Sequence, residues 1–477
     1  MYDRSLIKHS KFLVVSVIVI LVFRFILLGA IPLLDKTESR YAEIARLMYE
    51  TNKWIVLQID YNVPFWAKPP LSTWLSAISF SIFGVNEMVA RLPFYLLNVT
   101  IIILLGYWVK KLKLPFLLPA YILLTMPEFL IHTGVISTDV ALSFSITLVM
   151  LSFWKAIQNN ERSIWEYLFF VGIGLGLLTK GPIILVLTGP PILAWIIIQK
   201  IKIKDVLLRL PWILGTLLTA LIAIPWYILA EKNSPGFLDY FIVGEHFNRF
   251  IKPRWQGDLY GSGHSQPFGM IWLFLLLFTF PWIQIVLIKL WKNRAIIFKD
   301  KWVLFLVLWL FWIPLFFTIS RNILHTYILP VTIPIALLMA YGWPQYKNKK
   351  SAIILSSIFP VGAIVLSVVL FFNQGLFKHL NSDKYLINNQ ITKPFNTPKP
   401  IYYWDKVTYS GEFYSEGLAK KISDKEALKT IMNDENEFYL IVSNKKIDDL
   451  KKIFKSQMVF LESNIKRSIF LYKKNHQ

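Results

Sequence analysis

The chain has 477 residues, of which 55% are hydrophobic and 17% are charged, whereas soluble domains carry about 25% charged residues. Apolar runs of roughly 20 residues, the length that crosses a bilayer as a helix, recur along most of the chain, so the composition excludes a soluble globular protein. The net charge of +22 does not indicate nucleic-acid binding, because the basic residues fall in short loops between apolar runs, and the lack of cysteine excludes disulfides, thiolate metal sites and a cysteine nucleophile.

The apolar runs predict an all-α polytopic membrane protein with about 11–13 transmembrane helices, followed by a small C-terminal α/β extramembrane domain. The first run follows a short basic head and is too long for the apolar part of a signal peptide, so we expect a retained helix. The predicted spans are residues 12–34, 89–109, 115–131, 138–155, 164–180, 182–199, 208–230, 267–289, 302–319, 323–343 and 352–373.

Every second loop is short and basic, which the positive-inside rule assigns to the cytoplasm. These loops contain Lys110, Lys111 and Lys113; Lys155 and Arg162; Lys200, Lys202, Lys204 and Arg209; Lys289, Lys292, Arg294, Lys299 and Lys301; and Lys347, Lys349 and Lys350. The alternate loops, chiefly 35–88 and 231–266, are then extracytoplasmic. We therefore predict a multi-pass protein of the inner (plasma) membrane, with a cytoplasmic N-terminus and an extracytoplasmic C-terminal domain.

The first outer loop places several polar side chains next to a membrane boundary. Asp35, Glu38, Arg40 and Tyr41 follow the first span, and Thr37 or Ser39 is predicted to cap a helix through Tyr49. A carboxylate in this position could serve as a general base. The alternative is a solvated helix start, where the helix dipole favours acidic residues.

Lys68 precedes Pro69-Pro70, which open a second amphipathic helix in the same loop. A cation at a helix N-terminus opposes the dipole, so together they favour an anion site. The alternative is a snorkelling lysine that covers apolar surface.

The later segments add further candidates on the same predicted side. Asp139 begins an apolar span, where it is either functional or a helix cap, and Lys180 ends the fifth span, where it could instead complement the helix dipole. The loop 231–266 contains His246, Arg249 and His264; the two histidines could bind a metal or shuttle protons, but their spacing matches no standard zinc pattern. At the start of the tenth span, a separate group could meet a phosphate, namely Arg321, His325 and Tyr327.

The tail from residue 374 to 477 is more polar than the rest of the chain and predicts the α/β domain. Its expected strands are Ile401–Trp404, Phe438–Val442 and Ile469–Lys473, with helices near 424–433 and 446–456. No soluble-nucleotide motif is present. Carboxylates, cations and aromatic residues at one membrane face therefore indicate a site for a lipid-anchored anionic substrate.

The ordered motifs over about residues 30–345 resemble the bacterial aminoarabinose transferase of lipid A and the wider protein O-mannosyltransferase-like superfamily. These motifs are Glu38-Ser39-Arg40-Tyr41-Ala42-Glu43-Ile44-Ala45, Lys68-Pro69-Pro70-Leu71, Phe83-Gly84, Ala90-Arg91-Leu92-Pro93, Ser137-Thr138-Asp139, Thr179-Lys180-Gly181-Pro182, Glu245-His246 with Arg249-Phe250, and His325-Thr326-Tyr327 with Pro330. The resemblance implies the GT-C fold and a glycosyltransferase that moves a sugar from a polyprenyl-phosphate donor to a glycolipid, such as lipid A, or to a protein outside the cytoplasm.

The resemblance also implies site residues. The first position of the family's acidic pair is Thr37 here and the second is Glu38, with Asp35 two residues earlier, so the base is open between Asp35 and Glu38, and the other family acid falls on Asp139. Arg40, Lys68 and Tyr327 take the positions of phosphate ligands, and we add Tyr41, Lys180, His246, Arg249 and Arg321 as substrate-binding candidates. No cofactor is specified. A divalent metal stays an alternative that the sequence does not favour, because Ala67 replaces a glutamate implicated with a histidine in metal binding.

Two other classes compete with a transferase. A lipid or sugar transporter or flippase would also need charges and a cavity. Such proteins commonly show an internal repeat and place their site at the bilayer midplane, whereas this sequence shows no repeat of hydropathy and its polar residues crowd one membrane face. A non-catalytic assembly protein would explain the tail but not the charged outer loops. The sequence therefore favours the glycosyltransferase.

Overall fold

The computed structural model describes residues 4–158, 163–252, 255–261, 265–391, 399–448, 450 and 458–474, and most of them are helical. The helices up to residue 233 are α1 (Arg4–Ala30), α2 (Thr37–Thr51), α3 (Leu71–Phe83), α4 (Glu87–Lys110), α5 (Leu118–Leu124), α6 (Pro127–His132), α7 (Thr138–Gln158), α8 (Ile164–Lys180), α9 (Ile183–Ile198), α10 (Ile203–Arg209) and α11 (Trp212–Asn233). They are followed by a π-helix (Asp239–Asn248), α12 (Arg249–Ile251), α13 (Met270–Phe278), α14 (Trp282–Lys292), α15 (Arg294–Lys299), α16 (Lys301–Thr318), a 3₁₀ helix (His325–Val331), α17 (Thr332–Tyr341) and α18 (Lys349–Phe372).

Each predicted span coincides with one helix or with a pair of consecutive helices. Six helices of the described chain are long and apolar enough to cross a membrane, and α13 with α14 adds a seventh such segment that is bent by 104°. The chain is therefore a multi-pass membrane protein. The shorter predicted spans fall on α5 with α6, on α8, on α9, and on the 3₁₀ helix with α17.

Two predicted spans need correction in detail. The first ends at Ala30 instead of residue 34, two residues before Pro32. The third is interrupted between α5 and α6, where Pro127 opens the second helix. Proline lacks an N–H group and restricts the residue before it, so a helix commonly ends or restarts there.

The centre of the membrane region is α7, which packs against α8. A Cβ atom at Gly172 of α8 would lie 2.8 Å from a Val149 methyl group and 3.1 Å from the Val149 nitrogen, so only glycine allows this close approach. Hydroxyl groups inside α7 donate to carbonyl oxygens of the same helix, as Ser145 does to Ala141 and Thr147 does to Ser143. Close packing here fixes the ends of α7 and α8 relative to each other.

The first predicted outer loop is folded. It consists of α2, a hairpin of β1 (Gln58–Asp60) and β2 (Val63–Pro64), and α3. The predicted cap of α2 is wrong, because the N-cap residue is Lys36 and no side chain caps the helix. All residues of α2 from Glu38 to Met48 are buried within the protein, except Arg40, which is partly buried.

The C-terminal region forms a five-stranded mixed sheet with helices. Its elements are a 3₁₀ helix (Gln374–His379), α19 (Lys384–Ile391), β3 (Ile401–Trp404), α20 (Tyr409–Tyr414), β4 (Lys420–Ile422), α21 (Lys425–Asp434), β5 (Glu437–Ser443), β6 (Met458–Ser463) and β7 (Arg467–Lys473). The strand order is β4-β3-β5-β7-β6; β3 runs parallel to β4 and β5, and β7 runs antiparallel to β5 and β6. The three predicted strands and the helix near 424–433 are present. Most of the predicted helix at 446–456 lies outside the described residues.

This sheet region docks on the first outer loop through α20, which packs against α2. The backbone N–H of Leu33 donates to the Tyr414 hydroxyl over 2.7 Å, and Lys384 forms an ion pair with Glu87. Rings of Phe80 and Phe413 lie 6.3 Å apart between their centroids. Polar and apolar contacts thus bring the C-terminal region over the loop that holds the first candidate residues.

Candidate active site

A cavity of about 1190 Å³ lies where the two predicted outer loops meet the C-terminal region. Its wall also includes the first turn of α7, the end of α8 and the segment around the 3₁₀ helix after α16. The predicted site residues that line it are Asp35, Arg40, Tyr41, Lys68, Asp139, Lys180, His246, Arg249 and Tyr327. Segments far apart in the chain therefore converge on one space.

A buried carboxylate on one wall holds two of the predicted cations. Glu245 accepts from Lys68 Nζ at 2.9 Å and from Arg249 Nη1 at 2.8 Å. Burial alone would raise the pKa of Glu245, but the charges of Lys68 and Arg249 outweigh it and hold the pKa at about 2. This wall therefore presents two fixed cations at neutral pH. Glu245 offsets them, together with Asp258, whose Oδ2 lies 3.7 Å from Arg249 Nη2.

A second ion pair joins the two central helices. Lys180 Nζ lies 2.6 Å from Asp139 Oδ1 and 5.0 Å from the centroid of the Tyr327 ring. Asp139 does not cap α7: its backbone N–H donates to the Ser137 hydroxyl over 3.1 Å. The Asp139 carboxylate is therefore available to hold Lys180 at the cavity wall.

Arg40 projects from α2, and its guanidinium group has N–H donors that are not engaged within the protein. Its Nη1 donates to the Tyr260 carbonyl over 3.2 Å, while its buried Nε has no hydrogen-bond partner. The guanidinium carbon lies 5.4 Å from the Tyr41 ring centroid and 5.8 Å from that of Phe65. Aromatic rings thus support a planar cation that can bind a phosphate through two donors at once.

His246 connects the π-helix to the end of α8, and neither of its ring nitrogens is free to bind a metal. Nδ1 lies 2.8 Å from the Phe241 carbonyl oxygen, and Nε2 lies 2.9 Å from that of Lys180. Burial lowers the pKa of His246, against the influence of the two carbonyl groups. The described residues contain no group of three His, Cys, Asp or Glu side chains that could hold a metal, and His264 lies outside them. The donor set near Ala67 and His246 thus does not fit a divalent metal.

Asp35 and Glu38 have different surroundings although they are three residues apart in the chain. Asp35 lines the cavity, and its carboxylate accepts from the Ser39 hydroxyl at 2.6 Å and the Ser410 hydroxyl at 2.7 Å. Glu38 points away from the cavity and receives two hydrogen bonds of 2.7 Å from the Arg91 guanidinium. Both Glu38 oxygens are therefore engaged in a buried ion pair.

Arg321 also lies apart from the cavity wall. Its side chain is exposed, and its carbonyl oxygen accepts from the backbone N–H of Gln266 over 2.8 Å. His325, four residues later, donates through Nδ1 to the Glu128 carboxylate over 2.9 Å and stacks on Phe278 with 4.7 Å between ring centroids. Glu128 also contacts His132 at 3.0 Å. The sequence predicted His325 as a phosphate ligand, but its Nδ1 is engaged by Glu128. Sequence reasoning missed the buried partners Glu128 and His132, although their spacing places them on one helix face.

The contribution of the C-terminal region was missed as well. Its lining residues are Asn381, Lys406, Val407, Thr408, Tyr409, Glu412, Lys466 and Arg467. Burial raises the pKa of Glu412 to about 8, helped by the nearby charges of Glu43 and Asp60. These residues belong to a tail whose sequence carries no motif, so no local signal pointed to them.

The sequence of this chain is similar to that of known glycosyltransferases. The family described as dolichyl-phosphate-mannose-protein mannosyltransferase matches residues 12–241. A protein of Erwinia tasmaniensis, named undecaprenyl phosphate-alpha-4-amino-4-deoxy-L-arabinose arabinosyl transferase, is 29% identical over 76% of this chain and 66% of its own length. The protein of that name from Enterobacter sp. is 32% identical over 67% of this chain and 58% of its own length. The chain thus spans just under two thirds of the length of one of these relatives and less of the other.

Solved structures show the same architecture. ArnT from Cupriavidus metallidurans in the apo state superposes with a TM-score of 0.73 at 18% identity, covering 97% of this chain and 98% of that one. The same protein bound to undecaprenyl phosphate gives a TM-score of 0.71 over the same shares. Both the membrane helices and the C-terminal sheet region therefore have counterparts in one known fold.

Proposed function

We propose, from the premise that this chain is a GT-C fold relative of the lipid A aminoarabinose transferase and protein O-mannosyltransferase-like family, that it transfers a sugar from a polyprenyl-phosphate donor to an acceptor outside the cytoplasm. The observation that carries the proposal is the convergence of cations on one cavity. Among its described lining residues, eight are lysine or arginine and six are aspartate or glutamate. Because Glu412 is mostly protonated at neutral pH, the excess of positive charge favours an anionic substrate.

The phosphate of the donor is proposed to bind among Arg40, Lys68, Arg249, Lys180 and Tyr327. Glu245 and Asp139 already hold three of these cations in place, so little reorganisation is needed when negative charge develops on the leaving phosphate. Tyr41 and His246 support this group through ring and backbone contacts. We give Arg321 no role in the reaction, because its side chain is exposed away from the cavity wall.

Asp35 is the proposed general base. In the transfer, the bond between the anomeric carbon and the phosphate oxygen breaks, the acceptor oxygen bonds to that carbon, and the acceptor hydroxyl proton passes to Asp35. Asp139 is proposed to orient Lys180, and Glu38 to hold α2 through Arg91. Because Asp35 lines the cavity and Glu38 does not, we rank Asp35 ahead of Glu38 as the base.

The donor and acceptor are inferred from the relatives. A structural relative binds undecaprenyl phosphate, and the curated relatives are named as arabinosyl transferases that use an undecaprenyl-phosphate-linked amino sugar. We propose the same class of lipid carrier here, with lipid A, another glycolipid or a protein as acceptor. No observation on the cavity favours the transporter or flippase.

The proposed topology follows the alternation of basic loops. The N-terminus is cytoplasmic, residues 1–373 form the membrane domain, and residues 374–477 form the extracytoplasmic domain. Loops 35–88 and 231–266 and the C-terminal region share one cavity, which supports placing them on the same side of the membrane.

The base assignment is tested by turnover and thermal stability of Asp35→Asn, Glu38→Gln and Asp139→Asn with a synthetic undecaprenyl-phosphate sugar. Loss of a base lowers kcat by about 10²–10⁴ with folding intact, and this is expected for Asp35→Asn. Glu38→Gln should lose stability and keep its turnover. If all three variants retain near-normal turnover, the acid–base assignment fails and the transporter gains support.

The phosphate site is tested by donor affinity. Lys68→Ala should weaken binding of undecaprenyl phosphate by about 1–3 kcal/mol, the cost of a lost charge-assisted contact. Lys53→Ala is the matched control, because Lys53 belongs to the same outer loop but is exposed and bonded to Asn62. Equal affinities of the two variants would mean that Lys68 has a purely structural role.

Mass spectrometry of envelope glycolipids and glycoproteins, with and without the gene, would identify the sugar and the acceptor.

A further inference from the structure

The N-terminal turn of α20 contacts the side chain of Asp35 directly. The Ser410 hydroxyl donates to Asp35 Oδ2 over 2.7 Å, and the Ser410 backbone N–H donates to Oδ1 over 3.0 Å. The two residues are 375 positions apart in the chain. Two of the three hydrogen bonds that the carboxylate accepts therefore come from the C-terminal region, and the third comes from Ser39.

The backbone of Asp35 is held by the same region. Its N–H donates to the Asn381 carbonyl oxygen over 2.8 Å, and the Asn381 side-chain amide donates to the Asp35 carbonyl oxygen over 2.7 Å. Main chain and side chain are thus both fixed. A rotation of the carboxylate would break at least one of these bonds.

Ser410 is itself immobilised. It is fully buried, and its hydroxyl oxygen accepts from the backbone N–H of Asp383 over 3.0 Å. The Asp383 carboxylate accepts from the side chains of Tyr403 at 3.1 Å, Arg467 at 3.0 Å and Asn464 at 2.8 Å. Since Ser410 accepts from Asp383, its single proton is free to point at Asp35. The network thus extends from the core of the C-terminal sheet to the cavity wall.

We propose that Ser410 and Asn381 are positioning residues for Asp35, so that the active site is complete only when the C-terminal domain is docked. The inference rests on the proposed function, in which Asp35 is the base. Ser410 donates to both carboxylate oxygens and Ser39 donates to Oδ1, so Oδ2 keeps one lone pair that can accept the proton. This role explains why the fold keeps a polar domain bonded to the first outer loop.

The pH dependence follows from the groups that face Asp35. Burial raises the pKa of Asp35 and the charge of Asp383 adds to this, whereas the hydrogen bonds from Ser39 and Ser410 lower it. The other charged or titratable groups that these two segments contribute to the cavity wall are Lys36, Arg40, Tyr41, Lys406, Tyr409 and Glu412. Removing the Ser410 hydroxyl should therefore raise the pKa further. Because the base must be ionised, the acid limb of the kcat profile should move to higher pH.

The experiment compares Ser410→Ala with Ser415→Ala in the full chain, using a synthetic undecaprenyl-phosphate sugar. Ser415 is equally buried and follows the same helix, but its hydroxyl group bonds to the Glu412 carbonyl oxygen and the Ala419 N–H instead of to Asp35. Ser410→Ala should lower kcat by about 3- to 10-fold, leave KM for the donor unchanged and shift the acid limb. Ser415→Ala should do none of these. Asn381→Ala, at a partly buried position, provides a second variant and should lower kcat with unchanged KM.

A second readout does not depend on turnover. Infrared difference spectra against Asp35→Asn follow the protonation of this one carboxyl group during a pH titration. The midpoint should be higher in Ser410→Ala than in Ser415→Ala. Equal midpoints, or identical kcat profiles for Ser410→Ala, Asn381→Ala and Ser415→Ala, would overturn the positioning role. Absence of transfer by the unmodified protein would instead refute the proposed function, and the infrared titration would still decide the role of Ser410.

Discussion

At the scale of single residues, the cavity combines carboxyl groups with opposite protonation. The cations beside Glu245 hold its pKa at about 2, whereas burial with nearby negative charges raises the pKa of Glu412 to about 8. At neutral pH the first is an anion that orders Lys68 and Arg249, and the second is mostly a neutral hydrogen-bond donor. Burial and neighbouring charges therefore give the same functional group two different roles.

The raised pKa of Glu412 predicts a loss of stability at high pH. The folded state keeps the proton up to about pH 8, whereas the unfolded carboxyl, with its ordinary pKa of 4.5, releases it earlier. The stabilisation is thus complete below about pH 4.5 and is lost as the pH rises through 8. Apparent Tm should fall between about pH 5 and about pH 9, and this fall should be about 2–4 °C smaller in Glu412→Gln.

Glu426→Gln is the matched control, because Glu426 is an exposed carboxyl group in α21 of the same domain. Thermal unfolding of the three proteins at both pH values measures the difference. An unchanged pH dependence in Glu412→Gln would show that Glu412 ionises normally in the folded protein.

At the scale of elements, Arg91 of α4 joins the end of α1 to the start of α2. Its guanidinium donates to the carbonyl oxygens of Leu28 at 2.8 Å and Pro32 at 3.1 Å, and to both oxygens of Glu38. The carbonyl groups at a helix end lack partners within the helix, so a buried arginine satisfies them and fixes the loop. The same loop carries Asp35.

This junction predicts that Arg91→Ala loses stability more than donor binding. Removing the arginine leaves Glu38 buried without its partner, and breaking a buried pair typically costs about 3–5 kcal/mol. Apparent Tm in detergent should fall clearly, while the affinity of the remaining folded protein for undecaprenyl phosphate should stay within about 2-fold. Glu87→Ala on α4 removes a partly exposed partner of Lys384 and Tyr414 and leaves no buried charge of its own behind, so it should cost much less. A normal Tm for Arg91→Ala would rule out this structural role.

At the scale of the whole molecule, the proposed topology places the cavity outside the cytoplasm. The chain has no cysteine, so single cysteines report sidedness without background. Leu418→Cys in the C-terminal domain is 66% exposed and should react with a membrane-impermeant maleimide in intact cells. Lys111→Cys, exposed in a predicted cytoplasmic loop, should react only after permeabilisation. The reverse labelling pattern would invert the topology and the side on which transfer occurs.

The sequence by itself determined the membrane class, the positions of the helical segments and three strands of the C-terminal sheet. These features depend on local patterns. The bilayer requires long apolar runs in a spanning helix, and a sheet with one buried face requires alternating apolar and polar residues in each strand. The ordered motifs also sufficed for the resemblance to GT-C fold glycosyltransferases. The helix ends that precede Pro32 and Pro127 were misplaced or missed, because span prediction averages over several residues.

Only the tertiary structure decided which of these candidates share a cavity. Glu38 and Asp35 are equivalent in sequence, yet Arg91 of a later helix turns one carboxylate inward and Ser410 holds the other at the cavity wall. The ion pairs of Lys68 with Glu245 and of Asp139 with Lys180 likewise join distant segments. Such contacts depend on how helices pack and how a distant domain docks, and no local pattern encodes the partner of a buried charge.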